Sequence, residues 1–148
     1  MKYVHTNIIA RDWKSLSEFY QKVFHCIPVP PGRDLRGAWV EALSGVKNAH
    51  IQGEHLRLPG YDENGPTLEI FSYNEMVYNE KFINTSGLSH LAFLVDDVAS
   101  TLALVKENGG QSVGELVIQK YPDGKTGTFV YCKDIEGNII ELQNWENK

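Results

Sequence analysis

Residues 3–10 are apolar and β-branched in bulk, with Tyr3, Val4, Thr6, Ile8 and Ile9, and this pattern predicts a strand. The pattern then changes. Leu16, Phe19, Tyr20 and Val23 recur at intervals of three and four, which predicts a helix over residues 13–24 with one buried face and Asp12 as its N-cap. Residues 26–36 contain Pro28, Pro30, Pro31 and Gly32 and are expected as a loop or an irregular edge. Strands are predicted over residues 37–43 and 49–58, joined by a turn at Ser44-Gly45, and a further strand over 67–73 follows a polar loop. Residues 74–86 read as a linker carrying a short helical turn at 76–82.

The order then repeats. Residues 88–95 alternate as a strand, Asp97 is placed to cap a helix reaching Lys106, and Asn108-Gly109-Gly110 is placed to end it in a left-handed cap. Strands are predicted over 113–119, 128–133 and 138–145, separated by turns at Pro122-Asp123-Gly124 and at 134–137. Placing His5 on His90 puts Asp12 on Asp97 and Phe19 on Leu104, and each half closes on an apolar strand with a glutamate inside it, Leu68-Glu69-Ile70 and Ile140-Glu141-Leu142. The expected fold is α+β. One domain of 148 residues is built from two modules, about 1–80 and 86–148, each a strand, a helix and three strands of a mostly antiparallel sheet.

Strand alternation assigns faces. Val4, Thr6, Ile8 and Ala10 suit the helix side, which sends His5, Asn7 and Ile9 the other way; Leu91, Phe93 and Val95 likewise leave His90 on the opposite face. Glu69 groups with Phe71 and Tyr73, and Glu141 with Ile139 and Gln143. A buried carboxylate needs a cation, a donor or water. A glutamate and a histidine at matching places in both halves therefore point to a metal site with His5, Glu69, His90 and Glu141 as ligands. Two neutral imidazoles and two carboxylates leave a divalent ion formally neutral, and such N/O donors suit Zn, Ni, Co, Mn or Fe. Asn7, Trp39, His55, Phe71, Tyr73 and Gln143 are candidate substrate-binding residues.

Composition removes other classes. A formal charge of −5 with no basic cluster argues against a nucleic-acid partner. No apolar run approaches the roughly 20 residues of a membrane span, and no secretory leader is expected. Cys26 and Cys132 lack CxxC spacing and read as buried free thiols in a cytoplasmic protein.

The chain resembles the vicinal oxygen chelate superfamily, which includes glyoxalase I, methylmalonyl-CoA epimerase, extradiol dioxygenases, fosfomycin-resistance transferases and bleomycin-resistance proteins. The resemblance lies in His5-Thr6 ahead of Ser17-Glu18-Phe19-Tyr20-Gln21-Lys22-Val23-Phe24, in Leu68-Glu69-Ile70, in Gly87-Leu88-Ser89-His90-Leu91-Ala92-Phe93, and in residues 133–142. It implies two βαβββ modules forming an open half-barrel around one divalent metal. It also implies a metal-dependent lyase or isomerase of the glyoxalase I type, with Glu141, and Glu69 opposite it, as catalytic carboxylates. Bacterial glyoxalase I has an Arg four residues after its first ligand His and an Asn four after its first Glu. Ile9 and Tyr73 stand there instead, so a small chelated carbonyl other than a glutathione adduct is expected. An Fe(II) dioxygenase, a thiol transferase and a drug-binding protein are the rival readings. A homodimer is expected.

Overall fold

The computed structural model describes residues 1–146 and separates into two compact units with the boundary after Tyr78. The first contains β1 (His5–Ile9), α1 (Trp13–Phe24), β2 (Ile27–Arg36), α2 (Ala38–Ser44), β3 (His50–Arg57) and β4 (Thr67–Tyr73). Its sheet runs β1-β4-β3-β2, with β1 parallel to β4 and the other pairs antiparallel.

Helix α1 starts where Asp12 accepts hydrogen bonds from the Lys14 and Ser15 amides at 3.1 and 3.2 Å. Hydrogen bonds from the Ser15 side chain and backbone, above all, hold the Asp12 carboxyl below its ordinary range. The helix ends at His25 in the left-handed conformation, with its backbone N–H bonded back to the last turn. Leu16, Tyr20, Leu56, Leu68 and Ile70 are sealed from solvent where α1 packs on β3 and β4. This core fixes which face of the sheet stays open.

The proline-rich stretch takes the second of its two expected forms, an irregular edge: it is strand β2, at the sheet edge, where missing N–H donors leave no ladder bond unmade. Its pairing with β3 shifts register between Val29 and Arg33, across the prolines. The predicted strand over 37–43 is helix α2. Gly37 and Gly45 bracket it at φ of +99° and +70°, where glycine is favoured, and Val40 alone is buried. Tertiary burial of that one residue outweighs the alternation of its neighbours. The predicted helical turn at 76–82 does not form; Val77, Tyr78 and Phe82 are exposed there, so no packed face supports a helix.

The second unit contains β5 (His90–Leu94), α3 (Val98–Glu107), β6 (Gln111–Ser112), β7 (Val117–Lys120), β8 (Thr126–Lys133) and β9 (Ile139–Glu146). β5 lies parallel to β9, β9 antiparallel to β8, and β6 and β7 both pair with β8; of the strand predicted over 113–119 only the end from Val117 forms, as part of β7, and β6 precedes it. Asp97 caps α3 through the Ser100 amide at 2.5 Å. Gly109, at φ +91°, ends it, with the Gly110 amide returning to the Val105 carbonyl at 2.9 Å.

The turn that launches β9 is organised by buried Asp134. Its carboxylate accepts from the Glu136 and Asn138 amides, both at 2.9 Å, and from Asn138 Nδ2 at 2.7 Å. Asp134→Ala leaves these donors unpaired, and chemical denaturation is expected to show a loss of about 2–3 kcal/mol. Cys26 and Cys132 are free and buried, and burial pushes both thiols up to about 12. Native protein at pH 8 is therefore expected to resist a thiol-specific disulfide reagent, with both sulfurs reacting once urea is added. Among the described residues no helix is long and apolar enough to cross a membrane.

Candidate functional site

The side of each sheet turned away from its helix carries the candidate residues, and strand register sets them in rows. In the first unit one row holds His5, Thr67, Arg57 and Ile27. The next holds Asn7, Glu69, His55 and Val29, and a third Ile9, Phe71, Gly53 and Arg33. Glu69 is the hub. Its Oε2 lies 3.2 Å from His5 Nε2 and accepts from Asn7 Nδ2 at 3.2 Å, while its Oε1 lies 2.8 Å from His55 Nε2. His55 Nδ1 in turn sits 3.1 Å from Thr67 Oγ1, which fixes the ring plane. Burial lowers the His55 pKa below the ordinary imidazole value, and Arg33 and His5 add to this while Glu69 opposes it. The ring is neutral at pH 7.

Gly53 has a spatial reason. A Cβ there would fall 2.0 Å from the Ile70 carbonyl oxygen and 2.5 Å from the Phe71 ring, so only glycine lets Phe71 lie over β3 beside His55. Beyond it Phe71, Ile51, Ala49 and Val40 form a small buried cluster, with Leu35 and Tyr73 packed against it. Helix α2 thereby covers this end of the face.

The second unit repeats the design with different details. One row places His90 beside Ile139 and Lys133. The next holds Ala92, Glu141 and Tyr131, and a third Leu94, Gln143, Phe129 and Val117. His90 Nε2 lies 3.1 Å from Glu141 Oε2, and its ring meets Tyr131 edge-on at 5.2 Å. Tyr131 thus holds the place opposite Glu141 that His55 holds opposite Glu69. Further along, Trp145 Nε1 donates to Gln143 Oε1 at 2.7 Å, and Trp145 packs against Phe129 and Tyr121.

The structure gathers His5, Asn7, His55 and Glu69 into one contact group and His90 and Glu141 into another, with Gln143 one row on. Phe71 and Tyr73 belong to the small core instead, and Trp39 is exposed on α2. Arg57, Thr67 and Tyr131 share these faces and were not among the sequence candidates. Arg57 follows His55 by two, so alternation alone would have placed it; Thr67 and Tyr131 needed the cross-strand register.

Each His–Glu pair offers one imidazole nitrogen and one carboxylate, the donor chemistry of a divalent ion. Each pair is in direct contact, and although Glu69 also meets His55, among the described residues no three His, Cys, Asp or Glu side chains are set so that they could hold an ion together. The pairs therefore fit as two donors apiece.

A family model described as the Glyoxalase/Bleomycin resistance protein/Dioxygenase superfamily matches residues 2–142. Among solved structures, a glyoxalase family protein from Bacillus cereus superposes with a TM-score of 0.76 at 16% identity, covering 99% of this chain and 94% of that one. A glyoxalase family protein from Enterococcus faecalis gives 0.58 at 22% identity, covering 97% and 95%. A mutant of the fosfomycin resistance protein from Listeria monocytogenes, complexed with Mn(II) and 1S,2S-dihydroxypropylphosphonic acid, gives 0.58 at 14% identity, covering 95% and 90%. No curated protein matches the sequence.

Proposed function

The chain belongs to the glyoxalase/bleomycin resistance/dioxygenase superfamily, and from that premise we propose that it is a metal-dependent lyase or isomerase of the glyoxalase I type. Its substrate is a small carbonyl compound with two chelating oxygens, not a glutathione adduct, and the donors to a divalent ion are the two His–Glu pairs, His5 with Glu69 and His90 with Glu141. The enzyme works as a homodimer in the cytoplasm.

The observation that carries this reading is the unequal setting of the two matched carboxylates. Glu69 is engaged by His5, His55 and Asn7, whereas the contact shown for Glu141 is with His90. A base must leave its resting partner and reach the substrate, and Glu141 has fewer bonds to give up. Glu69 is held in place and suits a fixed ligand. The metal, when bound, supplies Lewis acidity to the substrate oxygens. Glu141 Oε2 then takes the proton from the carbon beside the carbonyl and returns it to the adjacent atom. Tyr131, packed against His90, keeps that imidazole oriented.

The test begins with metal content. Refolding with an excess of Zn, Ni, Co or Mn followed by desalting is expected to leave about one ion per chain, shared by the two His–Glu pairs, and EDTA is expected to remove it together with turnover. Protein that retains no divalent ion overturns the reading.

A further inference from the structure

The chain is acidic overall, yet the open face of its first unit carries an excess of positive charge. Arg57 stands in the row before Glu69 and His55, and Arg33 in the row after them. Both are partly buried. The chain's other arginines are placed differently: Arg36 has Asp34 at 3.9 Å, and Arg11 lies outside these rows and has its own interaction. Among the described residues neither Arg33 nor Arg57 has a carboxylate within ion-pair distance. The one acid on this face, Glu69, is already shared among His5, His55 and Asn7.

Arg57 adds a second, independent sign. Its Nε is closed off from solvent and has no hydrogen-bond partner, the one such side-chain atom among the described residues. An arginine in this position bears a desolvation cost that nothing in the unit offsets. Arg33 spends one guanidinium hydrogen on the Pro31 carbonyl, which anchors the side chain and leaves the rest of its donor fork free. The Arg33 charge also reaches His55, where it helps to lower the imidazole pKa.

We propose that Arg33 and Arg57 form an oxyanion clamp, so that the substrate carries a small anionic group in addition to its chelating carbonyl. The planar guanidinium fork matches the paired oxygens of a carboxylate or a phosphoryl group, which supplies the missing countercharge and an acceptor for the remaining donors of the Arg33 fork. His55, set between the two arginines, adds a polar contact. This inference rests on the reading of that face as the substrate's, and it is independent of which ion the His–Glu pairs hold.

The experiment uses the full-length, metal-free protein, isotopically labelled, titrated by NMR with acetate, inorganic phosphate and neutral acetamide. Acetate or phosphate is expected to shift signals of Arg57, Arg33 and His55 in a saturable way, and acetamide is not. Tighter binding of acetate assigns a carboxylate substrate, and tighter binding of phosphate a phosphorylated one. Arg33→Gln and Arg57→Gln are each expected to weaken the anion by about tenfold or more, and the lysine variants by less. If Arg57→Gln does not fold, Arg33→Gln and Arg57→Lys decide the matter. The clamp is overturned if neither anion binds, or if anion affinity survives in the Arg33→Gln/Arg57→Gln double variant. Cobalt titration of the same samples separates the two readings. Wild-type protein that takes no Co(II) but binds anions through these arginines retains the clamp and loses the metal enzyme. Protein that takes Co(II) but ignores both anions loses the clamp alone.

Discussion

Glu141→Gln is expected to lower turnover by about two to four orders of magnitude while metal content stays at the wild-type level. The amide keeps an oxygen donor of the same shape and loses the ability to accept a proton from carbon. The assay reads the chemistry directly. Candidate 2-hydroxy carbonyl compounds are incubated in D2O, and loss of the C–H signal next to the carbonyl is followed by NMR. Glu69→Gln should behave differently. It disturbs the hub contacted by His5, His55 and Asn7, so its main effect falls on metal retention. Equal exchange rates for Glu141→Gln and the wild type would remove Glu141 from the base role.

The second large effect is structural. Gly53→Ala is expected to destabilise the protein by about 3 kcal/mol, a fall in Tm of roughly 6–12 °C, because the added methyl meets the Ile70 carbonyl, a backbone atom that cannot rotate away. Strands β3 and β4 must separate or slip, which also moves Phe71, His55 and Glu69. Gly32→Ala is the matched control: its added Cβ finds its nearest neighbour at an ordinary 3.6 Å, and little change is expected. Thermal melts of the two variants side by side make the comparison, and equal Tm values would show that the sheet accommodates the methyl.

The duplicated strand pattern made much of this legible. His5 and Glu69 meet on one face of their sheet, as do His90 and Glu141, because side chains two apart on a strand share a face, and that spacing is visible in a string of letters. Both aspartate caps were readable for the same local reason, since Asp12 and Asp97 act within three residues of themselves. What was not readable depended on distant partners. Helix α2 exists because Val40 finds Ile51 and Phe71, which neighbouring residues do not announce. His55 could be assigned to one of two strand faces, but its place against Glu69 required knowing that residue 55 pairs with residue 69. The pairing of Tyr131 with Glu141 was hidden in the same way.

Helix α2 stands between β2 and β3, and among the described residues of the second unit no helix stands between β6 and β7 or between β7 and β8. By laying Val40 against Ile51 and Phe71, α2 plugs one end of the first sheet's open face with a single buried side chain. A smaller residue at position 40 would leave a void beneath the helix and a bulkier one would push the helix off the sheet, so how firmly that plug is seated hangs on the volume of one apolar group.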